Sequence, residues 1–105
     1  MLFDAQGRKV DEAFAPLATR RSAEGCVEHD PEELLASLRA ATDEVCRRAA
    51  AAGHRIAAAG LATQRSSMLC WNRHDGAALS PVISWQDRRN AGWLKQFEPR
   101  AKWIR

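Results

Sequence analysis

Three polar side chains, Gln64, Arg65 and Ser66, stand at the carboxyl end of a short apolar run, residues 56–62. The run consists of small apolar residues bounded by turn residues, which predicts a strand buried on both faces. Ligands of open α/β sheets bind at the carboxyl ends of such strands. A carboxamide, a guanidinium and a hydroxyl at that end offer hydrogen bonds to a hydroxyl-rich ligand. The pattern therefore indicates a binding site for a polyol or a sugar.

An aromatic side chain follows in the next part of the chain. Residues 68–71 and 81–85 have the composition of two short strands, and the turn at residues 72–76 contains an Asp-Gly pair that favours chain reversal. If the second strand returns beside the first, Trp85 lies near Arg65. An apolar wall beside a cationic group with several donors suits a polyol or a sugar.

At these residues the sequence resembles the FGGY family of carbohydrate kinases and, within it, the glycerol kinases most closely. Residues 60–65 resemble the family's strand and Gln-Arg motif, and residues 84–89 resemble its Trp-Gln-x-Arg-Arg motif. Residues 25–31, Gly-Cys-Val-Glu-His-Asp-Pro, are similar to the Gly-Trp-Val-Glu-His-Asp-Pro that opens the first long helix of glycerol kinases. The three motifs occur in the family's order and indicate the family rather than the substrate.

The resemblance implies a particular fold and domain organisation. The fold is α/β, the ribonuclease H-like domain of the actin, hexokinase and sugar kinase superfamily, here truncated at both ends. Residues 1–105 then form a partial amino-terminal domain that carries the substrate-binding half of the kinase, and the nucleotide-binding second domain is absent.

The resemblance also implies ATP and Mg²⁺ as cofactors of the full-length family. In the family an Asp-x-Gly-Thr loop handles phosphate and magnesium, and the second domain supplies the catalytic aspartate. Neither element is found in the 105 residues, and no Gly-rich loop with a following Lys replaces them. We therefore expect no catalytic or metal-binding residue here, poor binding of ATP or Mg²⁺, and no activity in isolation. We expect the chain to need the remainder of a kinase chain or to self-associate.

The roles of the three polar residues have alternatives. Arg65 is predicted to bind substrate hydroxyls, or it is an ordinary surface arginine; Gln64 binds substrate or caps the strand end. Glycerol kinases have a glutamate in place of Ser66, and a carboxylate accepts two hydroxyl hydrogen bonds. Because serine is shorter and neutral, the resemblance leaves glycerol in doubt as the substrate, and a bulkier polyol or sugar would fill the space.

The residues of the second motif also have alternatives. Trp85 matches the tryptophan that lines the family's substrate pocket, or it belongs to the core. Asp87 is predicted to be a partner of Arg65 or Arg88, or the N-cap of a following helix. His29 precedes a helix cap, and its expected role is structural.

Two other classes of site compete with a substrate site. Cys26 and His29, together with Cys70 and His74, have spacings that could bind zinc, but the first pair lies inside the helix-opening motif. A nucleic-acid or protein-binding module would use the basic, Trp-containing carboxyl-terminal segment: Arg88, Arg89, Trp93, Lys95, Arg100, Lys102, Trp103 and Arg105. Elsewhere the basic residues are interleaved with acidic ones, which makes nucleic acid an improbable partner.

Composition sets broad limits. A chain of 105 residues with 46% apolar content fits one domain, and its net charge of +3 does not indicate a particular class of binding partner. No apolar run approaches the roughly 20 residues that span a bilayer, so we expect no membrane association and a cytoplasmic location. The odd number of cysteines, three, predicts reduced thiols rather than disulfides.

The elements that position these residues can be predicted from local patterns. Residues 1–3 and 8–15 predict a hairpin, and residues 17–24 a polar loop. Asp30 as N-cap, Pro31 at the first helical position and Gly53 as C-cap delimit a long helix. Its predicted buried stripe contains Leu34, Leu35, Leu38, Ala41, Thr42, Val45 and Ala49. Residues 90–97 predict a second helix that Pro99 stops.

Overall fold

Two sets of residues pack as separate compact units in the computed structural model, which describes the backbone of residues 1–103 and the side chains of residues 1–99. The first unit contains Met1–Ala18 and Asp30–Thr63, and the second contains Thr19–His29 and residues 64–103. The composition predicted one domain, whereas the described residues form these two units. Both helices and strands are present, and all pairings of the described strands are antiparallel.

The first unit begins with the predicted hairpin. Strand β1 (Leu2–Phe3) pairs with β2 (Lys9–Asp11), so the second strand is shorter than residues 8–15. The carboxylate of Asp4 closes the turn by accepting hydrogen bonds from the Gln6 and Arg8 backbone amides. Gly7 adopts a φ of +76°, which glycine tolerates without a Cβ clash. The turn residues therefore determine this hairpin.

Helix α1 (Pro31–Ala51) confirms the predicted start and end. The Asp30 carboxylate accepts hydrogen bonds from the Glu32 and Glu33 amides, 2.9 and 3.3 Å away. At the other end Gly53 has a φ of +74°, and the amides of Gly53 and His54 donate to Ala50 and Ala49, which is a Schellman motif. Both ends follow from residues adjacent in sequence.

Two predictions about burial in the first unit are wrong. The stripe on α1 is largely exposed: Leu34, Leu35 and Leu38 are 39–47% exposed, and Ala49 is the one helix residue described as buried. Residues 56–62, predicted as a buried strand, have no assigned helix or strand and are exposed. A strand needs a pairing partner, and no described strand pairs with this alanine-rich segment, which has little apolar surface of its own.

The second unit is organised on a three-stranded antiparallel sheet. Strands β3 (Arg20–Arg21), β4 (Val27–His29) and β5 (Val82–Ile83) lie in the order β3-β4-β5. The sequence predicted a loop for residues 17–24 and no strand at β4. Two adjacent arginines show no alternation of apolar and polar residues, so the sequence carries no strand signal at β3, which pairs with β4 through its backbone.

The predicted reversal between residues 68–71 and 81–85 is present in irregular form. Isolated antiparallel bridges join Met68 to Ile83 and Trp71 to Ala78. The turn is closed by the Gly76 amide, which donates to the Asn72 carbonyl at 2.8 Å. The predicted pairing therefore exists, although only β5 becomes a regular strand, and it does so by pairing with β4.

The carboxyl-terminal segment is less helical than predicted. Helix α2 (Ala91–Leu94) is one turn long, with Asn90 at its N-cap, and a 3₁₀ helix (Lys95–Trp103) follows it. Pro99 lies inside the 3₁₀ helix, so the prediction that it stops the helix is wrong. The fixed φ of proline fits 3₁₀ geometry, and only one hydrogen bond is lost.

The core of the second unit lies beneath β4 and β5. Val27 and Val82 are 5% and 8% exposed, and the hydroxyl-bearing Ser84 is 3% exposed. The Ser84 amide donates to the Val27 carbonyl at 2.9 Å, which continues the pairing beyond β5. Among the helices described, none has both the length and the apolar character needed to cross a bilayer.

Candidate functional site

The Gln64–Ser67 turn contains an unusual backbone conformation. Ser66 has a φ of +62°, and among the described residues it is the one non-glycine with a positive φ. Left-handed backbone is uncommon for residues that carry a Cβ atom, and such outliers cluster at functional sites. The Ser67 hydroxyl donates to Gln64 Oε1 at 2.8 Å and closes the turn around Ser66.

Ser67 also connects this turn to the second motif. The Trp85 amide donates to Ser67 Oγ at 3.3 Å, although the two residues are 18 positions apart. One hydroxyl thus bonds the Gln64 side chain and the Trp85 backbone. We call residues 64–67 together with residues 84–87 the Ser67 junction.

Trp85 lies at the end of β5 on a well-anchored turn. Ser84, which is buried, accepts a hydrogen bond from the Gln86 amide at its Oγ (3.3 Å) and from the Asp87 amide at its carbonyl (3.0 Å). This local pattern is typical of serine turns. The Trp85 side chain is 56% exposed, which excludes the alternative that it belongs to the core.

Asp87 is the centre of a charged network. Its carboxylate accepts from the Val27 amide at 2.7 Å and from Arg89 at the amide, Nε and Nη2, at 3.1, 2.9 and 2.7 Å. Arg89 Nη2 also lies 2.5 Å from Glu28 Oε1. The hydrogen bonds from Arg89 and then from Val27 lower the pKa of Asp87 well below its ordinary value. Asp87 and Glu28 raise the pKa of Arg89.

Two further contacts fasten the second motif to β3 and β4. Arg21 Nη2 donates to Gln86 Oε1 at 2.9 Å. The Arg88 amide donates to the Gly25 carbonyl at 2.8 Å, and Gly25 has a φ of +85°. A Cβ atom at Gly25 would lie 3.4 Å from Arg88 Cβ, an ordinary contact distance, so the positive φ is what favours glycine there.

The structure connects two of the predicted site segments, residues 64–66 and the backbone of Trp85. Gln64 and Trp85 meet through Ser67, and Ser66 lies between the bonded residues of the turn. Arg65 is exposed and makes no hydrogen bond or ion pair with any described residue, so its guanidinium is available to a ligand.

The predicted roles of Asp87 require correction. Its carboxylate bonds Arg89, not Arg65 or Arg88, because Arg89 is two residues away on a turn that directs both side chains together. It is not a helix N-cap either, since α2 begins at Ala91 after Asn90. His29 lies in β4 opposite Val82, and its structural role stays a prediction.

Sequence reasoning missed Ser67 and Glu28. Glu28 lies in the helix-opening motif of residues 25–31, yet a motif match does not reveal a side chain's partner 61 positions away. Ser67 follows Gln64 by three residues, which is the spacing of a turn closed by a side chain, and that spacing was the available signal.

The alternative site classes gain no support from the described residues. No three His, Cys, Asp or Glu side chains in residues 1–99 lie together as metal ligands, and Cys26, Cys46 and Cys70 are free thiols. In the basic carboxyl-terminal segment, Arg89 is held by carboxylates and Trp93 packs edge-to-face on Phe97 with ring centroids 4.8 Å apart. The side chains of Arg100, Lys102 and Trp103, and all of Arg105, lie outside the described residues.

Comparison with known proteins finds consistent similarity. Residues 1–103 match the model of the FGGY family of carbohydrate kinases, N-terminal domain. A glycerol kinase from Leptothrix cholodnii is 43% identical over 89 residues, which are 85% of this chain and 18% of that protein. A glycerol kinase from Thermus brockianus is 38% identical over 100 residues, 95% of this chain and 20% of that protein. The chain thus spans about a fifth of the length of these relatives.

Proposed function

Because the chain belongs to the FGGY family of carbohydrate kinases, whose N-terminal domain it matches, we propose that its second unit forms part of a polyol or sugar binding site. The full protein would then be an ATP-dependent carbohydrate kinase of ribonuclease H-like fold. A cytoplasmic location remains a prediction from the sequence.

The observation that carries this proposal is the hydroxyl of Ser67. It joins the turn of the Gln-Arg motif to the backbone of the Trp-Gln-x-Arg-Arg motif, with hydrogen bonds of 2.8 and 3.3 Å. Two motifs of the family therefore meet in one place. Arg65 and Trp85, which belong to these two segments, are both exposed, Trp85 to 56%.

Each residue has a distinct role in this proposal. Arg65 donates hydrogen bonds to ligand oxygens, and Gln64 and Ser66 add polar groups beside it. Trp85 supplies an apolar surface for the C–H groups of the ligand. Asp87 does not touch the ligand: it holds Arg89 and the Val27 amide and so fixes the turn that carries Trp85.

The cofactors implied by the family do not fit the residues described here. No group of three metal-ligating side chains is present in residues 1–99, and the sequence has no Gly-rich loop with a following Lys. We derive no step of phosphoryl transfer from this chain. Such transfer depends on positioning and charge stabilisation of the phosphoryl group, so we propose that the 105-residue chain alone does not phosphorylate a polyol or sugar.

Ligand titration of the 105-residue chain tests the binding proposal. Saturation-transfer NMR screens a panel of polyols and sugars for binding, and calorimetry measures the affinity of each ligand found. The affinity should fall about tenfold or more in Arg65→Ala and in Trp85→Ala. Matched controls are Arg73→Ala and Trp71→Ala, both exposed residues of the hairpin. Binding that the controls weaken equally would reject the assigned site.

A coupled assay of ADP release tests the activity proposal. The chain mixed with ATP, Mg²⁺ and the same panel should show no turnover above the rate without protein. Robust turnover would show that these residues contain a phosphate site that the described geometry does not suggest.

A further inference from the structure

The first unit contains a groove of about 440 Å³ that is lined by the hairpin and by the chain that follows helix α1. The hairpin contributes Leu2, Phe3 and Val10 to the lining, and residues 54–58 contribute the remainder of its apolar surface. Phe3, Val10 and Ile56 are 54%, 48% and 43% exposed, so the described residues cover them only in part. The volume falls within the range of ligand-binding pockets, about 300–1,000 Å³.

Both segments that line the groove are anchored to helix α1. Arg48 donates to the Glu12 carbonyl at 3.3 Å and lies 3.5 Å from Asp11 Oδ1, which holds the end of the hairpin to the helix. In the other segment, the His54 amide donates to the Ala49 carbonyl at 2.9 Å. Because one helix holds both segments, the groove is formed without a ligand.

The backbone beside the groove lacks hydrogen-bonding partners. Residues 55–63 make no backbone hydrogen bond to any described residue. Residues 54–64 contain no turn or bend, and residues 54–58 are exposed. Five extended residues span about 17 Å, the length of an ordinary strand. An exposed, extended backbone of this kind can pair with an added strand, as in peptide recognition by strand addition.

The charged groups of the groove favour an acidic partner. Arg55 is exposed and makes no hydrogen bond or ion pair with any described residue. Asp4, the one carboxylate among the described lining residues, already accepts a hydrogen bond from the Arg8 guanidinium at 2.7 Å. The groove therefore offers an unpaired cation and a carboxylate that is already paired. A carboxylate on the partner would form charge-assisted hydrogen bonds with Arg55.

We propose that this groove binds an extended, apolar strand of another polypeptide that carries an acidic residue at one end. The backbone of the strand pairs with residues 55–58, its apolar side chains contact Phe3 and Val10, and its carboxylate pairs with Arg55. A small apolar molecule of the same volume lacks the repeated N–H and C=O groups that match this backbone. The proposal concerns the first unit and does not rest on the polyol or sugar site proposed above.

Fluorescence anisotropy with synthetic peptides tests the proposal on the 105-residue chain. The probes are a labelled acetyl-Val-Thr-Val-Thr-Val-Asp amide and the same peptide with its aspartate moved to the amino end, because the strand can run in either direction. At least one probe should bind saturably. N-methylation of two successive central residues should weaken its binding about tenfold or more, since it removes a donor that faces the groove. No saturable binding of either probe, or equal binding of the methylated peptide, would overturn the proposal.

Proline variants test the backbone pairing from the side of the protein. Successive N–H groups of an extended chain point in opposite directions, so one of Ala57→Pro and Ala58→Pro should weaken peptide binding about tenfold. Ala62→Pro, which removes an equally unpaired amide outside the lining, should leave binding unchanged. All three variants should keep the far-ultraviolet circular dichroism of the wild type. Unchanged binding in both Ala57→Pro and Ala58→Pro would overturn the proposed pairing.

Arg55 variants test the acidic end of the strand. Arg55→Gln should abolish the preference for the aspartate peptide over the same peptide with asparagine. Arg39→Gln, a charge-matched change at an exposed position of α1, should preserve that preference. A preference that survives in Arg55→Gln would overturn the role given to Arg55.

Amide hydrogen exchange at residues 56–58 gives a readout that depends on the groove itself. Bound peptide should slow this exchange, whereas a higher concentration of the chain alone should not. Slower exchange at high chain concentration without peptide would assign the groove to a second copy of this chain and overturn the assignment to another polypeptide. Peptide binding without any change at residues 56–58 would place the peptide elsewhere and likewise reject the groove.

Discussion

The carboxylate of Asp87 binds the guanidinium of Arg89 through two parallel hydrogen bonds, 2.9 Å from Nε and 2.7 Å from Nη2. Only one residue separates them, so the pair stiffens the turn that follows Trp85. The same carboxylate accepts the Val27 amide of β4 at 2.7 Å. The turn after Trp85 and strand β4 therefore both depend on the ionised side chain of Asp87.

This pairing predicts acid sensitivity. Arg89 and the Val27 amide lower the pKa of Asp87 in the folded state, whereas the unfolded value is about 3.9. The stabilisation is fully present above about pH 5 and is lost as the pH falls below about 4, because the unfolded state takes up the proton first. Asp87→Asn should lower the urea midpoint at pH 7 and flatten its decrease between pH 5 and pH 2.

Asp43→Asn is the matched control for that experiment. Asp43 is exposed on α1 in the first unit and makes no ion pair with any described residue. Its substitution should leave the urea midpoint and the pH profile unchanged. An Asp87→Asn protein with the wild-type acid profile would mean that the Arg89 pair contributes nothing to stability.

Local signals account for the parts of the fold that were predicted correctly. The start of α1 depends on Asp30 bonding amides two and three residues away, and its end depends on Gly53. Such contacts lie within one turn of helix, so the sequence specifies them directly. The first hairpin is similar, because Asp4 closes its own turn.

The parts of the fold that the sequence did not predict depend on pairing between distant residues. Whether residues 56–62 form a strand depends on a partner that no local pattern identifies. The sequence predicts a loop at β3, because the pairing of β3 with β4 uses the backbone of two arginines. At the site, residue types indicated Gln64, Arg65 and Trp85, but the choice of Arg89 as the partner of Asp87 required the turn geometry.

Gly25 should be sensitive to any added side chain. Its φ of +85° disfavours residues with a Cβ atom, although the new atom would itself lie at an ordinary contact distance, 3.4 Å from Arg88 Cβ. Gly25→Ala should therefore lower the free energy of unfolding by about 1–2 kcal/mol in urea denaturation. Gly60→Ala, which meets no atom within 4 Å and lacks a positive φ, should change it by less than about 0.5 kcal/mol. Equal effects at the two positions would contradict the left-handed backbone at Gly25.

The stability of variants at position 66 should depend on how well the new residue tolerates left-handed backbone. At a φ of +62°, Ser66→Val should destabilise the protein by about 1–2 kcal/mol, since branched residues are severely disfavoured there. Ser66→Asn, which tolerates this conformation, should be close to wild type. Urea denaturation gives the energies, and amide exchange at Trp85 should accelerate in the valine variant alone. A valine variant as stable as the asparagine variant would indicate that residue 66 leaves this conformation in solution.

The exposed leucines of α1 predict self-association. Leu38 follows Leu34 by four residues and Leu35 by three, and the three side chains are 47%, 39% and 40% exposed, so they form one apolar surface on the helix. Sedimentation velocity should show an average mass that rises with concentration between micromolar and millimolar chain. Leu38→Lys should suppress the rise by placing a charge in that surface, whereas Ala50→Lys adds the same charge at another exposed helix position and should not. A single monomer boundary at all concentrations, with cooperative thermal unfolding, would count against association through this surface.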